Sequence, residues 1–193
     1  MAEVYLVRHG ATQWSVSGQH TGRTDLPLLP EGEAQARALA PRLADLTFDL
    51  VLTSPLQRAW RTAELAGYPD AEQVEDLMEW DYGDYEGLTK ADIFQTCPGW
   101  SVWNGPWTSG DSPTTVATRL LRVSRRVQAV QPSDGSERPG RVLFFAHGHI
   151  LRSFTGLWLG LSVRGGRHFT LDTATMSVLG WDRERPVVAR WNS

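Results

Sequence analysis

Two histidines in this 193-residue chain each follow a short apolar run and precede a glycine. Arg8-His9-Gly10 comes after Val4 to Val7, and His147-Gly148 comes after Val142 to Ala146. An imidazole can serve as nucleophile, base or metal ligand, and a glycine beside it lets backbone approach a ligand closely. With a guanidinium at Arg8, a phosphate fits. One histidine so placed is ordinarily a hydrogen-bonded strand end, but two arriving by the same route make coincidence a poor explanation. Arg58 and Arg61 add positive charge near an expected helix N-terminus, where free N–H groups and the helix dipole already favour anions. The plainer alternative, solvated arginines paired with Glu64, suits Arg61 better than Arg58.

A zinc site at His147 and His149 would need further ligands, for which His9 and Glu79 are the candidates. No Asp or Cys follows at a ligand-like spacing, and neighbouring arginines repel a cation, so a metal is the weaker reading. Glu79 to Gly87 is a dense acidic and aromatic stretch holding Glu79, Asp81, Asp84 and Glu86. Asp84 and Glu86 read as solvated loop acids. A carboxyl held beside rings such as Trp80 or Tyr82 has its pKa raised toward general-acid work, and Glu79 is that candidate.

These residues need a scaffold. Val4 to Val7, Phe48 to Thr53 and Val142 to Ala146 read as buried strands, with weaker late strands at Ser177 to Trp181 and Pro186 to Trp191. Glu31 to Leu46 carries a helical apolar stripe that Pro41 should kink or break. Pro55 to Ala66 reads as a helix capped by Ser54, and Ser112-Pro113 opens a longer one through Val130. Pro132 to Gly140 is a polar connector, and Gly148 to Leu159 is a further helix. Residues 83–113, rich in Gly, Pro and Trp, read as a lid-like excursion with one short helix near Thr89 to Thr96. Alternating strands and helices predict an α/β three-layer sandwich, a mostly parallel central sheet with helices on both faces, in a single domain over residues 1–193. Ligands of such sheets bind beyond the carboxyl ends of the strands, where His9 and His147 fall.

Composition narrows the function. Nineteen basic against 22 acidic residues give a net charge of −3, which is not a nucleic-acid binder's balance. No apolar run reaches the roughly 18 residues of a membrane helix, and no secretory leader pattern opens the chain. The single cysteine, Cys97, calls for no oxidising compartment, so the cytoplasm is expected.

Taken together, Leu6-Val-Arg-His-Gly-Ala-Thr12, Thr53-Ser-Pro-Leu-Gln-Arg-Ala59, Glu79 with Tyr82-Gly83, Gly110-Asp-Ser112 and Ala146-His-Gly148 resemble the histidine phosphatases, the phosphoglycerate mutase-like superfamily, across nearly the whole chain. The resemblance implies that His9 is a nucleophile that becomes phosphohistidine. Arg8, Arg58 and His147 would clamp the phosphoryl oxygens, with His147 working best protonated, and Glu79 would be the proton donor. Ser15 stands where many members carry an asparagine that touches phosphate. Thr21 and Gly22 match substrate-loop positions, Gly148 closes the second His-Gly pair, and His20 and Tyr82 become substrate contacts. The pattern is most similar to the subgroup of sedoheptulose bisphosphatase-like enzymes and mycobacterial acid phosphatases.

No metal or organic cofactor is implied, and the partner is a small phosphorylated metabolite, sugar phosphates or bisphosphates above all. The resemblance leaves two rivals. A phosphoglycerate mutase must hold a bisphosphate and exclude water, which asks for positive charge that Ala91 to Ser109 lacks. A catalytically silent phospho-ligand-binding module would have no need of every core residue. Trp100, Trp103 and Trp107 could wall the pocket, fill the core or cover a homodimer interface.

Overall fold

The computed structural model describes residues 2–193. Its sheet is built from β1 (Ala2–Arg8), β2 (Leu50–Thr53), β3 (Glu72–Gln73), β4 (Gly140–Ala146), β5 (Met176–Asp182) and β6 (Arg185–Arg190). The strand order is β3-β2-β4-β1-β5-β6. The β3-β2-β4-β1 half is parallel, and the late strands β5 and β6 join antiparallel.

Side chains alternate across this sheet with the period of two that a strand imposes. Val4, Leu6, Val142 and Phe144 face one layer, where they meet α5 (Pro113–Gln128) and α6 (Gly148–Trp158). Tyr5, Val7, Leu143 and Phe145 face the other, against α2 (Pro30–Leu43) and α3 (Gln57–Leu65). The three layers follow from strands that are apolar on both faces. No helix among the described residues is long and apolar enough to cross a membrane.

Register brings the chemistry together. Arg8 pairs with Ala146 and Thr53 with Phe145, so β1, β2 and β4 end within one residue of each other. The ladder continues one step further, with His9 N–H donating to the Ala146 carbonyl and Ser54 N–H to the Phe145 carbonyl. His9, Ser54 and His147 therefore emerge on one edge.

Several elements depart from expectation. The α2 helix runs through Pro41 and ends at Leu43, short of Leu46. Pro41 is exposed, so the Arg37 carbonyl it leaves unpaired can take water. The α3 helix begins at Gln57 rather than Pro55, and Ser54 is not its cap. Asp25, far back in the sequence, accepts the Gln57 N–H at 2.8 Å instead. A short helix α1 (Gln13–Ser17) and the two-residue β3 carried no apolar period to reveal them.

The excursion carries α4 (Lys90–Thr96) and sends Ile93, Trp100, Val102 and Trp103 into the core beside Trp80 and Leu77. An aromatic-rich segment gains more by burying such rings than by spanning water.

Candidate active site

Beyond the strand ends lies a cleft of about 190 Å³. Arg8, His9, Ser15, His20, Thr21, Glu79, Tyr82 and Gly148 all line it. Gly22, Arg58 and His147 are buried and are not part of its lining.

His9 is the buried centre. Its Nδ1 lies 2.7 Å from the Gly10 carbonyl, an acceptor, so Nδ1 carries the proton and Nε2 is a bare lone pair. Burial, reinforced by Arg58 and Arg8, holds this imidazole well below its ordinary pKa, so it is neutral near pH 7. The His147 ring centroid stands 5.2 Å away.

Arg8 bonds the Leu171 carbonyl through Nη1, while its Nε is buried without a partner. An N–H so buried is costly unless something arrives to accept it. Gly148 lies over this guanidinium, and a Cβ there would sit in van der Waals contact with it, 3.5 Å from Nε.

Arg58 is fully buried and mostly committed. Its Nε donates to His147 Nδ1 at 3.0 Å, Nη1 to the Thr24 carbonyl at 2.9 Å, and Nη2 to the carbonyls of Thr21 and Gly22. Four of its five N–H groups are used, which ties the 21–24 loop to α3. Because Arg58 donates to Nδ1, His147 is protonated at Nε2 alone, and that N–H donates to Ser54 Oγ at 2.8 Å. Burial and the nearby Arg58 and His9 press the His147 pKa well down. In the unliganded site His147 is thus neutral, because a second cation cannot sit against Arg58 without an anion; the protonated form expected above belongs to the phosphate-bound site.

Glu79 is held from beneath. Oε1 accepts from the N–H groups of Trp80 (3.0 Å) and Ile150 (2.8 Å), and Oε2 from that of His149 (2.8 Å). The carboxyl therefore caps α6, whose own N-cap residue His147 offers no side-chain cap. Burial raises its pKa, opposed by those N–H groups and by Arg58. Three of four acceptor positions are filled, leaving one on Oε2.

The chain's zinc alternative fails on direction. His147 points to Arg58 and Ser54, whereas His149 Nδ1 pairs with the Tyr82 hydroxyl at 2.6 Å. Among the described residues no group of three or more His, Cys, Asp or Glu side chains converges as metal ligands would.

Profile comparison matches residues 4–193 to the histidine phosphatase superfamily (branch 1). The chain belongs to that superfamily. It is 36% identical to an acid phosphatase of Mycobacterium tuberculosis, over 92% of this chain and 85% of that protein. It is 34% identical to the sedoheptulose 1,7-bisphosphatase of Saccharomyces cerevisiae, over 82% of this chain and 68% of that protein. A solved Mycobacterium tuberculosis open-reading-frame structure superposes with a TM-score of 0.89 at 33% identity, covering 99% and 97% of the two chains. Other matched relatives are named phosphoglycerate mutases. The phosphoglycerate mutase-like fold expected from the sequence is the fold observed.

Within this histidine phosphatase, Ser15 lines the cleft, but its hydroxyl is spent on a capping box, accepting from Thr12 N–H and donating to the Thr12 carbonyl. Glu86 is not a solvated loop acid: its Oε1 accepts from Gly22 N–H (2.8 Å) and Thr24 N–H (2.9 Å), and its Oε2 is buried. Asp84 is exposed, as expected, and Arg61 pairs with Glu64 and Glu33. Trp100 and Trp103 are core residues that also touch a side cavity of about 230 Å³ with His20 and His149.

Sequence reasoning missed Arg152, which lines the cleft and lies over the Trp103 ring at 4.9 Å. Its signal was present, a basic residue one turn into the helix that His147 opens. Trp14, Gln19 and Leu171 also line the cleft and had no such signal.

Proposed function

We propose that this cleft hydrolyses phosphomonoesters of small, sugar-like metabolites through a phosphohistidine formed at His9. The observation that carries the reading is the state of His9: neutral, locked by Gly10 with Nε2 bare, and set in the same cleft as an Arg8 Nε that has no partner.

The substrate's phosphoryl oxygens take the Arg8 Nε–H and the one N–H left on Arg58, positive groups that spread transition-state charge. His147 contributes by turning its Nε2–H from Ser54 to a phosphoryl oxygen, and protonation at Nδ1, favoured by an arriving dianion, releases the Arg58 Nε–H for the anion. His9 Nε2 attacks phosphorus, the P–O bond to the leaving group breaks, and protonated Glu79 delivers its proton to the departing alkoxide. The resulting carboxylate then takes a proton from water, whose oxygen attacks phosphorus as the N–P bond breaks. Free phosphate leaves and both residues return to their starting states. We read the whole chain as one catalytic unit for this cycle.

The far wall supports this substrate class. Among the described residues Arg152 forms no ion pair, only an Nε–H bond to the Gly166 carbonyl at 3.1 Å, and Tyr82, His20 and Thr21 add hydrogen-bonding groups, a surface suited to a hydroxylated leaving group with a second anionic centre. Hydrolysis is favoured over mutase chemistry because Ala91 to Ser109 brings no basic side chain to retain a bisphosphate.

The test is acid and alkaline quenching of enzyme with labelled substrate. An acid-labile, alkali-stable phosphoryl group on wild type, absent with turnover in folded His9→Ala, is the expected result. Turnover near wild type in His9→Ala overturns it. Release of inorganic phosphate rather than isomerised ester distinguishes hydrolase from mutase.

A further inference from the structure

Gly110-Asp-Ser112 lies off the cleft, and neither Asp111 nor Arg119 lines it. Both residues are nonetheless buried, each 7% exposed, and joined by an ion pair of 2.6 Å. What they hold is the main chain on either side of Glu79. Arg119 Nη1 donates to the carbonyls of Met78 (2.8 Å) and Asp76 (3.3 Å), and Nη2 reaches that of Glu79 at 3.5 Å. Asp111 Oδ2 accepts the Asp81 N–H at 3.1 Å, and Asp111 N–H donates to the Asp81 carbonyl at 2.8 Å. Gly110 permits this contact, since a Cβ there would lie 2.4 Å from the Asp81 oxygen.

A buried ion pair is a poor device for stability alone, because desolvating two charges offsets most of their attraction. This one is also incompletely satisfied, with Arg119 Nε buried and unpartnered. Its distinctive property is direction: one planar fork and one carboxylate fix three carbonyls and an amide across six residues. Glu79 thereby hangs between two supports, its backbone tied to the α5 side by the ion pair and its carboxyl to the N-terminus of α6.

We propose that the Asp111–Arg119 pair is a positioning device that sets the Glu79 backbone so that the open position on Oε2 meets the leaving-group oxygen. The proposal rests on the reading of Glu79 as proton donor. The pair touches neither substrate nor the Glu79 carboxyl, so its effect passes through geometry. Displacement of a proton donor by an ångström is enough to cost on the order of 10²-fold in rate.

The test compares an alkyl phosphate with nitrophenyl phosphate, whose leaving group needs little protonation. Three variants are used: Asp111→Asn, Arg119→Lys, and the apolar double replacement Asp111→Leu with Arg119→Met, which removes both buried charges and so keeps the fold accessible. Melting and circular dichroism establish folding.

The expected result, read as the burst rate of phosphoryl transfer to His9 so that the shared water-attack step does not enter, is a loss of about 10- to 100-fold with the alkyl phosphate in the double replacement, smaller in Arg119→Lys, with nitrophenyl phosphate within about threefold. Placed in a Glu79→Gln background, the same replacement should cause no further loss on the alkyl phosphate. Equal losses on both substrates, no loss on either, or full additivity with Glu79→Gln would each overturn the proposal. If Glu79→Gln alone spares the alkyl phosphate, it is the reading of Glu79 that fails, and that result is visible before any Asp111 variant is measured.

Discussion

Two buried carboxylates at opposite edges of the sheet are each held by three neutral donors and end in opposite states. Asp49, ahead of β2, accepts from Ser133 N–H (2.7 Å), Arg141 N–H (2.8 Å) and Ser133 Oγ (2.9 Å), and Arg138 grips both its oxygens. Glu79 accepts three backbone N–H groups at comparable distances but forms no ion pair. The guanidinium against Asp49 holds its carboxyl well below the ordinary range, while burial pushes that of Glu79 up. Backbone donors fix a carboxylate's position, and a contacting cation decides whether it can ever hold a proton. Where the chain needs a staple for the 131–139 connector it supplies the cation. Where it needs an acid it keeps Arg58 and Arg8 at a distance.

The largest expected effect tests the Glu79 side. Glu79→Gln keeps the shape and removes the transferable proton, so phosphoryl transfer to His9 from an alkyl phosphate should slow by about 10²- to 10⁴-fold, and from nitrophenyl phosphate far less. Burst kinetics isolate that step from water attack. Equal losses would make Glu79 a cap for α6 and nothing more.

On the other side, Asp49→Asn should leave kcat within error and lower stability by about 2–3 kcal/mol, the worth of charged hydrogen bonds, or roughly 5–10 °C in Tm. The pH arm has a definite sign. A depressed folded-state pKa contributes stability that is present above the unfolded carboxylate pKa and is lost as pH falls through the folded value. The gap between wild type and Asp49→Asn should therefore persist at neutral pH and close only in strong acid. Glu79, with its raised pKa, carries the reverse dependence, a penalty that grows as pH rises through the folded value. Denaturant melts of both variants across pH measure the two slopes.

The site was legible where it depended on local pattern and obscure where it depended on distant partners. Strand-histidine-glycine could be read because apolar runs announce β1 and β4, and parallel register then places His9 beside His147. That Arg58 spends its donors on carbonyls of the 21–24 loop, or that Asp25 takes the N-terminal N–H of α3, needs contacts more than 30 residues apart that no periodicity encodes. His147 was placed in one clamp with Arg58, but that Arg58 donates to its Nδ1 and so keeps the unliganded ring neutral is a contact 89 residues apart that no local pattern encodes. The aromatic excursion looked like a lid because glycine and proline mark loops, while burial of Trp100 and Trp103 is decided only by the core they find.

Glu86 stands between the two extremes and carries the smallest effect. It holds Gly22 and Thr24 N–H groups as Asp49 holds its connector, yet no cation contacts it, and its Oε2 is buried without a partner. Those bonds fix the loop whose carbonyls Arg58 grips and whose Thr21 lines the cleft. Glu86→Gln retains one oxygen for both N–H groups but replaces two charge-assisted bonds by neutral ones and puts an amide where the buried Oε2 was. Weakening those bonds costs on the order of 1 kcal/mol, which relaxation of this half-exposed loop reduces. The expected result is a rise in KM of about 3- to 10-fold with kcat nearly unchanged, since the loop shapes binding and not proton transfer. Exposed Asp84, two residues earlier, is the control, and Asp84→Asn should change neither constant. A fall in kcat for Glu86→Gln that depends on the leaving group would break the comparison, because it would make Glu86 a second acid beside Glu79.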